Sequence, residues 1–304
     1  MTDYDLVIIG AGPAGLTAGL YAARARMNVL LIEKAVPGGQ ILITDWIENY
    51  PGFPEGISGF DLAEKMKQHA LDLGLEIETA EVHSLNLTAE TKEIVLKNKT
   101  IKAKALIIAS GASPRKLGIG EDKYMGKGLS FCATCDGPFF KDKTVVAVGG
   151  GDTAVQESIF LTKFAKKVYL VHRRDELRAT KILQERAFAN EKIEFVWDTV
   201  ATGLEGFFGI EGVNVKNVKT DAVSTIKADG CFIWVGILPN TEFLNKTLKT
   251  DDGGFIMADA HMETSVPGVY AVGDVRNTPL RQVATAVGDG AVAAVSAEHY
   301  IESL

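Results

Sequence analysis

Apolar residues along the chain gather in short runs of strand length, separated by longer stretches with helical spacing. The runs are Asp5 to Ile9, Val29 to Ile32, Ala105 to Ala109, Thr144 to Val148, Val168 to Val171, Cys231 to Val235 and Val269 to Val272. Helical spacing occupies Leu16 to Arg26, the segment from Ala154 to about Lys163, and Ala291 to Tyr300. Nearly continuous apolar strands that alternate with helices suit a sheet buried on both faces, so the pattern predicts an α/β fold.

Two of the strand-to-helix junctions are rich in glycine. Gly10-Ala11-Gly12-Pro13-Ala14-Gly15 follows the first run directly. At such a junction Gly10 allows a tight turn, Gly12 lets a pyrophosphate approach the backbone, and Gly15 lets the helix pack closely on the strand. The helix start then offers N–H groups to the anion. The next run ends in Glu33, an acid placed to accept a hydrogen bond from a ribose hydroxyl. Gly149-Gly150-Gly151-Asp152-Thr153-Ala154 repeats the unit downstream, and its second strand ends in His172-Arg173-Arg174, with Arg178 close behind. Glu33 lies 23 positions after Gly10 and His172 lies 23 positions after Gly149, so the two copies are in register. An acid at this position repels a 2′-phosphate and arginines bind one. The first site is therefore expected to take an unphosphorylated ribose, as in FAD or NAD, and the second NADPH.

Two further junctions decide between FAD and NAD. Val269 to Val272 ends in Gly273-Asp274, and Ala105 to Ala109 runs into Ser110-Gly111-Ala112. Both resemble additional signatures of flavoproteins with paired dinucleotide domains, in which the aspartate holds the ribityl chain. They favour FAD. Because these signatures lie at both chain ends, the expected organisation is a discontinuous FAD-binding domain, 1–114 with 241–304, into which an NADPH-binding domain, 115–240, is inserted. Ser113-Pro114-Arg115 and Leu238-Pro239-Asn240-Thr241 are the expected connectors, since proline and small polar residues discourage continuous helix or strand.

A chain of 304 residues is long enough for two domains. Its three cysteines narrow the remaining chemistry. Cys132 and Cys135 form a Cys-Ala-Thr-Cys pair between the two halves of the nucleotide machinery, whereas Cys231 sits in an apolar run and reads as a small buried hydrophobe. A structural zinc needs more ligands than this spacing supplies, and no metal site is expected. A redox-active pair is the expected reading for Cys132 and Cys135. The net charge of −7 gives no support to nucleic-acid binding. No apolar stretch reaches the length of a membrane span, and the N-terminus enters a strand with no leader pattern, so a cytoplasmic location is expected.

Taken in order, these motifs resemble the low-molecular-weight thioredoxin reductases of bacterial type, a class of pyridine nucleotide-disulfide oxidoreductases. The resemblance is carried by Gly10 to Gly15, Gly38-Gly39-Gln40, Glu48-Asn49-Tyr50-Pro51-Gly52, Cys132 to Asp136, Gly149 to Ala154, His172 to Arg178, and Gly273-Asp274 with Arg281-Gln282-Val283. It implies two Rossmann-like domains, FAD, NADPH, a homodimer, and thioredoxin as the substrate. By matching position, Gln40 and Asn49 approach the flavin, while Asp274, Arg281 and Gln282 bind FAD near its ribityl and phosphate portion. Cys135 faces the flavin and Cys132 exchanges with the partner. Asp136 is the expected proton donor, because reduction of a disulfide generates thiolates beside it. The resemblance also implies that one domain rotates against the other during turnover, with the connectors as hinges. Two positions depart from the common pattern: Gln156, where many relatives carry Glu, and Trp46, where a smaller residue is usual. His299 and Glu302 lie on the last amphipathic segment and are expected to be surface residues. His69, His83 and His261 carry no motif. A reductase of a glutaredoxin-like protein, or of flavodoxin or ferredoxin, shares parts of this pattern; the cysteine pair argues against the flavodoxin and ferredoxin readings.

Overall fold

The first strand, β1 (Tyr4–Ile9), is buried from Leu6 onward and turns straight into α1 (Pro13–Arg24). The helix begins earlier than its apolar spacing predicts, because proline has its φ preset and lacks an N–H that the first turn would leave unused anyway. A computed structural model describes residues 2–304 apart from 45, 46, 48 and 89, and all of their side chains except those of residues 43, 134 and 135. The chain continues through β2 (Val29–Glu33), α2 (Gly59–Asp72), β3 (Glu76–Thr79), β4 (Val82–Leu87), β5 (Lys92–Leu96), β6 (Thr100–Ile108) and β7 (Ala112–Pro114). Next come β8 (Leu129–Ser130), α3 (Ala133–Asp136), β9 (Thr144–Gly149), α4 (Asp152–Leu161), β10 (Lys167–Val171), α5 (Lys181–Phe188) and β11 (Ile193–Val196). A three-stranded antiparallel sheet of β12 (Thr199–Glu205), β13 (Gly212–Asn217) and β14 (Val223–Lys227) follows. The chain ends with β15 (Gly230–Trp234), β16 (Ile237–Pro239), β17 (Val269–Ala271) and α6 (Val283–Glu302).

Two compact units result, Met1–Ser113 with Leu238–Leu304, and Pro114–Ile237. In the first, the sheet order is β3-β2-β1-β6-β5-β4, with β17 also on β6. The nine-residue β6 serves two neighbours along its length: Thr100 to Ala103 pairs antiparallel with β5, and Leu106 to Ile108 pairs parallel with β17. Helices α1 and α6 share one apolar core with β1 and β6, including Leu16, Ala18, Ile107 and Ala293. Gly290 makes their close contact possible, since a Cβ there would stand 2.2 Å from the carbonyl oxygen of Ala14.

In the second unit, β11-β10-β9-β15-β8 form a sheet whose pairings are all parallel. Cys231 lies in β15 with no exposed surface, and burial pushes its thiol up to about 12. At pH 8 the thiolate fraction is then about one in ten thousand, and thiol reagents attack the thiolate. Cys231 is therefore expected to escape iodoacetamide in the native protein and to be modified only in denaturant. Peptide mass spectrometry checks this, and ready modification in native buffer would contradict the burial.

The two connectors depart from the expectation of irregular chain. β7 and β16 pair with each other as a two-stranded sheet. Pro114 and Pro239 each occupy the last position of a strand, where a missing N–H interrupts no ladder.

Candidate functional site

In the first unit the glycine-rich turn lies where β1 meets α1. Gly10 takes φ +102°, and Gly12 is the N-cap of α1 with no side-chain cap, which leaves the first amides of the helix open. Pro13, Ala14 and Gly15 form the first turn of that helix. Gly39 comes down on Gly12: a Cβ at Gly39 would lie 3.0 Å from the Gly12 Cα. Two glycines thus form a backbone wall that any side chain would close. Glu33 ends β2, where its Oε2 accepts from the Ala11 amide at 2.8 Å and its Oε1 from the Ala35 amide at 3.0 Å. A cleft of about 300 Å³ opens beside it, lined by Gly10, Glu33, Lys34, His83, Ser110 and Asn240, among others. Sequence reasoning gave His83 no role and missed the Ser110–Asn240 pair. The Ser110 hydroxyl donates to the Asn240 carbonyl at 2.7 Å, and the Asn240 amide donates back to the Ser110 carbonyl at 2.8 Å.

Gly273 and Asp274 occupy a single 3-10 turn, residues 273–275, just after β17. Burial raises the Asp274 carboxyl above its usual range, and the Arg281 charge opposes that rise. Arg281 lies flat over Phe255, with its guanidinium carbon 4.1 Å from the ring centroid, and its Nε is buried without a hydrogen-bond partner among the described residues. Gln282 is the N-cap of α6, Val283 is the first residue of that helix, and Asn49 donates to the Gln282 Oε1 at 2.8 Å. The Gln40 side chain donates to the carbonyl of Ala112 at 3.1 Å, just after Gly111, whose φ is +68°. Trp46 and Glu48 lie outside the described residues.

Asp289 holds this region together and has no motif to announce it. Its carboxylate receives Arg276 through Nε at 2.7 Å and Nη2 at 3.0 Å, and it also accepts from the amide of Gly273 at 3.0 Å. Removing one member of a buried ion pair leaves an uncompensated charge and costs about 3 kcal/mol. Asp289→Asn is expected to lower the melting temperature of the protein by roughly 6–12 °C. Because Gly273 loses an anchor, purified variant should also carry less FAD, read from the ratio of visible to ultraviolet absorbance. Unchanged melting and full FAD content would show that the pair is dispensable.

The second unit repeats the arrangement with opposite charge. β9 ends at Gly149, and Gly151 is the N-cap of α4, again with no side-chain cap. Asp152, Thr153 and Ala154 form the first turn; the Asp152 carboxylate accepts from the Thr180 amide at 2.6 Å. His172 follows β10 and is buried against Gly150, at which a Cβ would lie 2.2 Å from the imidazole. Burial holds His172 below its ordinary range. Its Nε2 is the other buried side-chain nitrogen without a partner among the described residues. Arg173, Arg174 and Arg178 are exposed around this strand end, and the Arg178 amide donates to the carbonyl of Gly150 at 2.8 Å. Gln156 is exposed on α4.

Cys132 belongs to the same unit and is disulfide-bonded, whereas Cys231 is free. The side chain of Cys135 lies outside the described ones. Cys132 immediately precedes α3, and Asp136 closes that helix with its amide on the Cys132 carbonyl at 3.2 Å. Asp136 is half-buried and also begins the 3-10 turn at residues 137–140, where its carboxylate makes no capping hydrogen bond. Among the described residues no cluster could hold a metal ion.

The two unpartnered nitrogens, each beside a glycine-walled turn at a strand end, are what nucleotide phosphates and riboses would satisfy. The residues present therefore fit two dinucleotides. A family model described as pyridine nucleotide-disulphide oxidoreductase matches residues 4–290. Thioredoxin reductase of Listeria monocytogenes serovar 1/2a is 47% identical over 304 residues, covering 99% of this chain and 95% of that protein. Its counterpart from Bacillus subtilis strain 168 is 46% identical over 303 residues, covering 99% and 96%. Among solved structures, thioredoxin reductase of Lactococcus lactis matches with a TM-score of 0.87 at 46% identity, over 99% of this chain and 100% of that one. The repeated turns, the disulfide and these likenesses agree that the chain belongs to the pyridine nucleotide-disulphide oxidoreductases, among the thioredoxin reductases.

Proposed function

We propose that this protein uses NADPH to reduce the disulfide of thioredoxin, through FAD and a redox-active pair made by Cys132 and Cys135. The observation that carries the reading is the disulfide at Cys132, placed in the same unit as a glycine turn ringed by Arg173, Arg174 and Arg178. A reductase of flavodoxin or ferredoxin needs no such disulfide, and the relatives do not favour it.

FAD belongs at the Gly10–Gly15 turn, with Gly39, Gln40, Asn49 and Gly111 on one side and Asp274, Arg281 and Gln282 on the other. NADPH belongs at Gly149–Ala154, its 2′-phosphate among the three arginines. When bound, FAD supplies a carrier that takes two electrons from the nicotinamide and delivers them to a disulfide. The chain's own residues do the rest. Reduction cleaves the Cys132–Cys135 bond and leaves two sulfurs that need protons; Asp136, with a carboxylate not spent on capping, supplies one. The Cys132 thiolate then attacks the partner's disulfide and forms a mixed disulfide. Attack by Cys135 on Cys132 releases the partner as a dithiol and restores the original bond, so two electrons and two protons have moved. We propose further that the enzyme works as a homodimer in the cytoplasm; its family supports this, and no helix among the described residues is long and apolar enough to cross a membrane.

The test is NADPH oxidation by FAD-loaded protein with and without thioredoxin, using insulin reduction as the endpoint. Turnover that requires thioredoxin supports the reading. NADPH-driven flavin reduction without thioredoxin turnover would move the search to another disulfide partner.

A further inference from the structure

Glu157 lies on α4, outside both glycine turns, yet its carboxylate reaches the short helix that follows Cys132. Its Oε2 accepts a hydrogen bond from the amide of Ala133 at 3.2 Å. Ala133 is fully buried and is the first residue of α3, so its N–H is one of those a helix start leaves without an intrahelical partner. Other side chains fix the backbone just before it. The buried Ser130 hydroxyl accepts from the Cys132 amide and donates to the Cys132 carbonyl, both at 3.0 Å. Trp234 donates its indole N–H to the carbonyl of Phe131 at 2.9 Å.

This arrangement bears on the thiol chemistry. When a cysteine precedes a helix, the amides of the first turn stabilise its thiolate, which lowers the thiol pKa and favours the reduced pair. Here one of those amides already serves a carboxylate. Burial raises the Glu157 carboxyl above its usual range and the Ala133 amide draws it partly back, so a charge at this position is weakly solvated and acts strongly on its neighbours. A negative charge there offsets the positive end of the helix and opposes a second negative charge on Cys132.

We propose that Glu157 is a positioning residue that sets the redox equilibrium of the Cys132–Cys135 pair: by occupying the Ala133 amide with a carboxylate, it disfavours the Cys132 thiolate and makes the dithiol a stronger reductant. The inference rests on the reading that these cysteines are the redox pair. Reduction breaks the S–S bond with two electrons and two protons, and whatever destabilises the product thiolate shifts the equilibrium toward the disulfide. A pair that must pass its electrons on to a partner gains driving force in this way.

Holoenzyme is equilibrated with graded mixtures of reduced and oxidised dithiothreitol, and the oxidised fraction of the pair is read by acid quench, alkylation and mass spectrometry. Glu157→Gln keeps an oxygen acceptor and drops the charge. It is expected to shift the equilibrium about tenfold toward the dithiol, roughly 30 mV. Alkylation of Cys132 at neutral pH should accelerate in the same variant. Glu157→Ala removes the acceptor as well and should move both readouts further the same way, which gives a second route should Gln disturb folding. Glu157→Asp keeps the charge and should hold the equilibrium near wild type. An unmoved equilibrium in both the Gln and Ala variants, or a shift toward the disulfide, overturns the proposal. Wild-type turnover with NADPH and thioredoxin is measured alongside. Its absence would refute the functional reading, whereas turnover with an unmoved Glu157→Gln equilibrium would refute only the role of Glu157.

Discussion

With Cys135 replaced by Ser, thioredoxin-dependent NADPH oxidation is expected to fall by at least about a thousandfold, while NADPH still bleaches the flavin absorbance at close to the wild-type rate. The two readouts separate because the substitution removes only a sulfur. Serine is nearly the size of cysteine, so the backbone bonds that hold this segment, from Ser130 to Cys132 and from Trp234 to Phe131, keep their partners. A hydroxyl forms no disulfide, however, and electrons on the flavin then have no acceptor in the chain. Cys231 cannot substitute: it is fully buried in β15, and its thiol is pushed up to about 12. Cys132→Ser should give the same loss of turnover. If either variant kept more than about a tenth of wild-type turnover, the pair would not lie on the electron route.

The parts of the site that depend on local backbone geometry were legible in the sequence. Gly10, Gly12 and Gly151 are dictated by a turn and an uncapped helix start, and both requirements act within a few residues. Glu33 and His172 were legible because a strand of fixed rise carries each to the same height as its glycine turn. The residues that tie separate segments together were not legible. Asp289 binds Arg276 and Gly273 from another element, Asn240 meets Ser110 across the whole inserted unit, and Glu157 finds an amide on a different helix. Each is a polar pair between distant chain segments, and no periodicity or spacing encodes it. The connectors misled for a different reason. Pro114 and Pro239 read as breakers, yet a proline at the last position of a strand is compatible with pairing, and β7 and β16 pair.

Replacing Arg173 and Arg174 together by Ala is expected to reduce the preference for NADPH over NADH by about a hundredfold to ten-thousandfold, because charge-assisted hydrogen bonds contribute about 1.5–3 kcal/mol each. Both residues follow the C-terminal end of β10, whose register with β9 brings Val171 level with Val148 and so sets His172 beside the Gly149 turn. A ribose bound at that turn places its 2′ position toward this strand end, where the first unit carries Glu33. Asp175, the nearest acid in sequence, pairs with Lys219 at 3.0 Å and so does not engage the arginines. Since both arginines are exposed, water and salt weaken their hold, which points to the lower end of the range. The loss should appear in the KM for NADPH, with kcat little changed, since the 2′-phosphate is bound equally in ground and transition states. NADH, which lacks the phosphate, should be used by the variant about as well as by wild type. Steady-state kinetics with both nucleotides at two salt concentrations decide the matter: a preference that stays within about threefold of wild type would release the arginines from the site and leave the choice of nucleotide to His172 and Arg178.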